Sequence, residues 1–384
     1  MRFLRKNKVK KTILVISDIH LGAGIIVDNQ RNFLEDFHCD KELVDFIEYY
    51  SKGDYLSREV ELIINGDLFD LLAVPFVKYF DDEFWSEGAA LEKLKIIIEA
   101  HQEIINALID FVQHKKNSLT YIIGNHDAEL ILPLLQDYLI GLFPEKSREK
   151  FKILQPTSKE YTPSEGIVIK HGHEYEIAHH FHPDTSIAKD TDGKKYFIPP
   201  WGSYYITRVV NKFKEERSYI NSVRPIRKFI INSLIYDTLF ILRFILSTFF
   251  YFVMVRCIFF YKQNKNIKSI IKHIINELQL FKDYETLTED FFQDRPEVKV
   301  LLVGHTHQPI FRAYNNGPIF INTGTWTKMH HLDFDKQSAG EILTFAQIDI
   351  PEGNSKTKEK SLNFLDVNLR QWKGVSTLPF CEIN

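Results

Sequence analysis

The sequence predicts an α/β fold, with strands and helices alternating through the first third of the chain and further strands near its end. Three observations carry this. Five short apolar runs, at 13–17, 61–65, 119–123, 166–170 and 298–303, each end in a loop bearing histidine, aspartate or asparagine. Segments with helical spacing of apolar residues separate the first three of these runs. A long stretch of different composition, 176–295, separates the fourth from the fifth. At 384 residues, 44% of them apolar, the chain is comfortable for two domains and has ample material for a core.

The elements follow in order. The run ILVIS leads into Asp18-Ile19-His20, and a helix near 40–52 then keeps Leu43, Val44, Ile47 and Tyr50 on one face. ELIIN leads into Gly66-Asp67-Leu68-Phe69-Asp70, followed by one long helix near 87–115 with Leu94, Ile97, Ile98, Ile104, Ile105, Leu108 and Val112 at helical spacing. LTYII leads into Gly124-Asn125-His126-Asp127 and a short helix near 128–139. GIVIK ends at His171-Gly172-His173, and VKVLLV at Gly304-His305-Thr306-His307. Apolar runs at 300–303, 318–322 and 341–349 read as strands completing a second sheet, and 352–360 as a loop.

Taken singly, these loops are weak signals, since Gly-Asp and Gly-Asn are ordinary turn dipeptides. Together they are specific. Strands that end in polar loops at one sheet edge bring those loops to one place, and five such ends carrying oxygen and imidazole groups predict a dinuclear metal site. No thiolate is among them, which suits hard or borderline divalent ions, Mn²⁺ first and Fe or Zn as alternatives. Two cations about 3.5–4 Å apart need a shared anion, and a water held between them loses its proton near neutral pH. A metal-independent reading would need a Ser or Cys nucleophile beside a base; there is no G-x-S-x-G, and Cys39 lies in an ordinary helical stretch.

The set resembles the calcineurin-like metallophosphoesterase superfamily, whose pattern is D-x-H, G-D-x-x-D, G-N-H-D, G-H or H-G, then G-H-x-H. The resemblance covers roughly 12–175 and 296–350 and implies a four-layer α-β-β-α sandwich. It implies that Asp18, His20, Asp67 and His307 hold one metal, and that Asp67, Asn125, His171 and His305 hold the other, with Asp67 bridging. His126 matches the histidine that protonates the leaving oxygen or steadies transition-state charge, and Asp70 and Asp127 match acids that fix those groups. Within the superfamily the chain is similar to the UDP-2,3-diacylglucosamine hydrolases of lipid A synthesis. It shares a Ser17-Asp18-Ile19-His20-Leu21 opening, the Gly66 to Asp70 motif, the Gly304-His305-Thr306-His307-Gln308-Pro309 ending and an apolar insertion at this point. It departs from them in carrying His126 after Asn125, where that group usually has Arg. The resemblance implies a peripheral membrane enzyme that cuts an acylated nucleotide pyrophosphate. The alternatives are a general phosphatase, phosphodiesterase or nuclease on soluble substrates, and a scaffold that has lost its ligands. The scaffold predicts missing ligands, and all seven are present together with His126.

Charge is unevenly spread behind a net −3: residues 205–275 carry a local +10, the first 12 residues +6, and the remainder −19. That separation predicts one basic surface on an acidic protein. Three widely spaced cysteines and no secretory leader predict a cytoplasmic protein. The domains read as a catalytic core, 1–175 and 296–384, interrupted by a mainly helical insertion, 176–295. The insertion's centre, 229–261, is dense in Phe, Ile, Leu and Tyr, but its longest uncharged run is 12 residues (244–255). A spanning helix needs about 20. Both flanks also belong to one domain on one side of any membrane, and 33 residues cannot cross twice. Three readings remain: a buried helix pair, a dimerisation helix, or an acyl-accepting lid lying on an anionic bilayer surface, with Phe249, Phe250, Phe252, Arg243 and Arg256 as contacts. The basic flanks favour the lid. The apolar density exceeds what single-strand stacking platforms use, which places a nucleic-acid partner last.

Overall fold

The computed structural model describes residues 8–74, 82–156, 160–176, 178–253, 284–315, 317–332, 339–352, 365–374 and 377–379. A seven-stranded sheet runs in the order Thr377–Pro379, Asp366–Trp372, Thr344–Pro351, Val9–Ile16, Glu59–Asn65, Asn117–Ile122, Phe151–Leu154. The last four strands are parallel, while Val9–Ile16 pairs antiparallel with Thr344–Pro351. The run expected at 341–349 therefore joins the first sheet, not the second. A five-stranded sheet, ordered Ile310–Ala313, Ile319–Asn322, Val300–Val303, Ile167–Ile169, Tyr161–Ser164, lies against it.

The strands read as continuous apolar runs because each is buried on both faces. Alternate residues divide between two interiors. Ile13, Val15 and Ile63 meet Ile167, Ile169, Val300, Leu302 and Ile321 between the sheets. Leu14, Ile16, Leu62 and Ile64 face the helices. Val168, Leu301 and Val303 face outward onto Phe291 and Phe292 of the helix Tyr284–Asp294. Four layers, α-β-β-α, result, and that last helix, although it precedes the fifth motif, lies on the second sheet.

Two helical expectations are redrawn. The single helix near 87–115 is two, Glu87–Ala100 and Gln102–Gln113, broken at His101 with φ −120° and ψ 37°. His101 is held there by Asp40, 2.5 Å from its Nδ1, with Glu35 3.8 Å from Nε2. The helix expected at 128–139 opens as a 3₁₀ turn, Ala128–Ile131, and becomes α-helical only from Pro133 to Gly141. Proline has no N–H to give and belongs in a first turn, so the helix starts there.

A buried ion pair ties this region to its neighbours. Lys93 Nζ lies 2.7 and 2.8 Å from the Glu129 carboxylate and 3.6 Å from the Phe84 ring centroid, with both charged side chains at most 1% exposed. Burial pushes Lys93 down and Glu129 up, each towards its neutral form. Lys93→Met should lower unfolding free energy in urea by about 3–5 kcal/mol, because Glu129 is left buried without its partner. Adding Glu129→Leu should recover most of that loss; no recovery would show that the pair matters through something other than charge.

The insertion leaves the core as a strap with a short hairpin, Ile187–Lys189 with Lys195–Phe197, and becomes helical from Trp201. Asn211 Nδ2 donates to Leu72 O at 2.8 Å, and the buried Lys214 Nζ bonds Leu34 O and Asp36. Helices Ile226–Tyr236 and Thr238–Phe252 set Phe229, Phe240, Ile241, Phe244 and Tyr251 against Val209 and Phe213. The buried-pair reading accounts for that face. On the other, Ile235, Leu239, Leu246, Phe249 and Phe250 are 64–80% exposed among the described residues. Phe252 is half-buried, Arg243 pairs with Glu216 at 2.7 Å, and Arg256, with the rest of the apolar segment from 254, lies outside the described residues. Among the described residues no helix is long and apolar enough to cross a membrane.

Candidate metal centre

Three of the five loops leave the first sheet and two leave the second, and the packed sheets bring them together. The first two zip along each other: His20 N and Ile19 N both donate to Asp67 O at 2.9 Å, and Leu21 N to Leu68 O at 2.8 Å. Sharp bends turn the side chains inward. Asp18, His20, Asp67, His305 and His307 all have φ between 53° and 69°, in the left-handed region that non-glycine residues enter at a cost of about 1–3 kcal/mol. Such a concentration marks a site that the fold holds under strain. Gly66 (φ +81°) has the His171 ring where a Cβ would stand, and a Cβ at Gly124 would strike the Asp67 carboxylate. Neither position tolerates a side chain.

Among the described residues four overlapping groups of ligand-type side chains have their polar atoms within 4.8 Å of one another; one is His20, Asp67 and His126, one is Glu176, His179 and His305, and two match the expected metal positions, Asp18, His20 and His307, and Asp67, His171 and His305. Asp67 faces both, with Oδ2 3.2 Å from His171 Nε2 and 4.0 Å from His20 Nε2. Asn125 Oδ1 lies 3.2 Å from His171 Nε2, and His307 Nε2 lies 3.5 Å from Asp18 Oδ1. His171 Nδ1 donates to Asn65 O at 2.7 Å, so a cation that displaced the other ring proton would meet the lone pair of Nε2, which faces Asp67 and Asn125. All seven sequence-predicted ligands are thus gathered in one place.

The electrostatics follow from burial. It raises the Asp18 carboxyl, with Asp67 adding to that effect against His171. Burial also raises Asp67, but His171, His126 and His20 together hold it well below the usual carboxylate range. His171 is opposed by burial yet lifted to about 10 by Asp67 and Asp18, while burial and His20 push His307 well down. The donor set fits divalent cations. His20 Nε2 and His307 Nε2 stand 3.1 Å apart, and two carboxylates and three further imidazole or amide groups converge with little solvent. Lone pairs aimed at one another in a buried volume are what cations relieve.

His126 lies at the edge of this cluster, its ring 4.6 Å from that of His20. Its Nδ1 is 2.9 Å from Asp70 Oδ1, and Asp70 Oδ2 is 3.6 Å from His20 Nδ1. Burial lowers His126, but Asp70, Asp67 and Asp127 lift it to about 9; cations bound beside it would act in the opposite sense. Asp127 is placed differently from Asp70. Fully buried, it accepts from Gly124 N (2.6 Å), Leu68 N (3.0 Å) and Tyr121 Oη (2.5 Å), so it binds two loops together rather than touching the His126 imidazole.

Two further residues reach this cluster. Glu176 Oε2 is 3.2 Å from His305 Nε2, and His179 Nε2 is 3.6 Å from Glu176. A lone glutamate in a loop gives no pattern to read, and a single histidine past the fourth motif gives little more. His173, by contrast, is buried and stacked on Phe181, pushed down to about 3 by desolvation and so held neutral.

The sequence model of the calcineurin-like phosphoesterase family matches residues 11–217. No curated protein matches the chain. Among solved structures, a dimetal phosphatase from Danio rerio is 10% identical, with 98% of this chain and 100% of that one covered and a TM-score of 0.40. A putative 5'-nucleotidase from Staphylococcus aureus is 12% identical, with 97% of this chain and 54% of that one covered and a TM-score of 0.35. Vacuolar Protein Sorting 29 from Cryptosporidium parvum is 10% identical, with 97% of this chain and 96% of that one covered and a TM-score of 0.30. Likenesses of this strength bear on neither substrate nor site.

Proposed function

The chain belongs to the calcineurin-like phosphoesterase family, metal-dependent hydrolases of phosphoesters, and from that premise we propose that it cleaves a phosphate ester or pyrophosphate at a dinuclear site. One ion is assigned to Asp18, His20, Asp67 and His307, the other to Asp67, Asn125, His171 and His305. The observation that carries this is the convergence of all seven side chains about Asp67. When bound, the ions, Mn²⁺ first among them, supply an acidified water and neutralise charge on the phosphoryl oxygens. The protein's own groups do the rest. Asp70 holds the Nδ1 proton of His126, which turns Nε2 towards the leaving oxygen. With substrate bound, a water oxygen would join phosphorus as the P–O bond breaks, the water's proton passing to solvent, and His126 would give its Nε2 proton to the departing oxygen and regain one from solvent.

The finer reading is an acylated nucleotide pyrophosphate, of the UDP-2,3-diacylglucosamine kind, met at the cytoplasmic face of a membrane. Its support is the apolar face of helices Ile226–Tyr236 and Thr238–Phe252, together with the basic balance of 205–275. The test is a substrate panel with Mn²⁺: UDP-2,3-diacylglucosamine, simple monoesters, diesters and cyclic nucleotides. Preference for a soluble ester would remove the lipid reading and leave the reaction class.

A second test addresses the face itself. Phe249→Ser with Phe250→Ser should spare fold and metal content, since both rings are 65% exposed. Binding to anionic vesicles should fall by at least about tenfold per ring lost from the bilayer, and wild-type binding should weaken with salt. Cleavage of small water-soluble diesters should persist. Unfolding of the double variant, or a loss of activity on every substrate alike, would make the face part of the core.

A further inference from the structure

We infer that Glu176 and His179, at the start of the insertion, form a polar relay that orients Asn125 and His305, two ligands of the second metal position; this rests on the dinuclear reading above. Both belong to one ion in that assignment. Glu176 Oε2 lies 3.2 Å from His305 Nε2, the distance at which an imidazole N–H donates to a carboxylate. A carboxylate on that side favours the tautomer with the proton on Nε2. With its proton on Nε2, His305 keeps a lone pair on Nδ1, the nitrogen left to ligate. The same carboxylate lies 3.6 Å from His179 Nε2, beyond hydrogen-bond reach but near enough for its charge to favour a proton on that side of the ring. His179 Nδ1 is then an acceptor, and Asn125 Nδ2 approaches it at 3.5 Å. That long contact turns the Asn125 amide so that Oδ1 faces His171 Nε2 at 3.2 Å.

The relay is braced from behind. Gly202 N donates to Ala178 O at 2.9 Å, and a Cβ at Gly202 would stand 2.7 Å from His179 Cε1, so the insertion's first helix is packed directly on the ring. His179 and His305 meet edge to face, 5.2 Å between centroids. The ligands of the first position are held by core residues instead: Asp18 by Ser17 and the His305 amide, and His20 by Asp70. The insertion thereby reaches two of the four groups of the second position, while His171 and Asp67 are held from the core.

The same three groups, Glu176, His179 and His305, also lie within 4.8 Å of one another, a spacing that a third cation could use. His305 Nε2 cannot both donate to Glu176 and ligate, so the two arrangements exclude each other. The experiment titrates metal-free full-length protein with Mn²⁺ by calorimetry, with bound metal counted by elemental analysis, for wild type, Glu176→Ala, Glu176→Gln and His179→Ala. Wild type should take two equivalents. Glu176→Ala should weaken the second by about 10–100-fold and leave the first within about threefold, the usual reach of a group that orients a ligand. Glu176→Gln keeps an acceptor oxygen and should fall between. His179→Ala should weaken the second equivalent alone, and the metal-free variants should unfold at the wild-type temperature. Unchanged second-ion affinity in Glu176→Ala, or equal loss at both positions, would overturn the relay while the dinuclear reading stands. A third wild-type equivalent that disappears in Glu176→Ala would overturn it in favour of a cation site. Fewer than two equivalents in wild type would remove both.

Discussion

Asp67→Asn is expected to abolish hydrolysis and to lower bound metal below one ion per chain. The substitution keeps the side chain's shape and removes its charge, at the point where the two ligand groups meet. Asp67 is 1% exposed, within 3.2 Å of His171 and 4.0 Å of His20, and is held anionic by the surrounding histidines. Two divalent ions near one another repel, and only a shared anion offsets that repulsion in a buried volume. Without the charge, each position keeps three groups but loses the anion that offsets the ions' mutual repulsion, so affinity at both falls. The fold should survive. Asp67 Oδ1 accepts the His126 N–H at 2.8 Å, and an asparagine oxygen can do the same. Elemental analysis checks the metal, and circular dichroism the fold. Two retained ions would remove Asp67 as the bridge.

What could be read in advance followed from how directly each feature is written in neighbouring residues. The strands were legible because a strand buried on both faces is apolar at every position, as at 13–16 and 300–303. The candidate ligands were legible because each sits in the loop that ends its strand, in the motif order that the resemblance to calcineurin-like metallophosphoesterases implies. Partners distant in sequence were not. Thr344–Pro351 has the same apolar character whichever sheet it joins, and pairing with Val9–Ile16 is decided by the whole packing. The break at His101 depends on Asp40 and Glu35, more than sixty residues earlier, which no local helical spacing reveals. Pro133 was a legible helix start that the apolar spacing at 128–139 hid. Glu176 carries no local pattern, and its role exists only where the insertion folds back on His305. Asp127, adjacent to His126 in sequence, turns inward to Gly124, Leu68 and Tyr121.

His126→Ala should separate proton transfer from metal binding. His126 offers no ring nitrogen to either ligand group in the proposed assignment, so two ions should remain, while kcat falls by about 10²–10⁴, the usual worth of a positioned proton donor. Asp70→Asn should lower kcat less, because it weakens the 2.9 Å bond that aims the ring without removing the ring. The diagnostic is the leaving group. A nitrophenolate departs without a proton, so the defect of His126→Ala should shrink on nitrophenyl esters and be largest on alkyl esters. An equal loss across both would assign His126 to stabilising phosphoryl charge instead. Loss of one ion in the same variant would make it a ligand, and the first-position set of Asp18, His20, Asp67 and His307 would then need a different member.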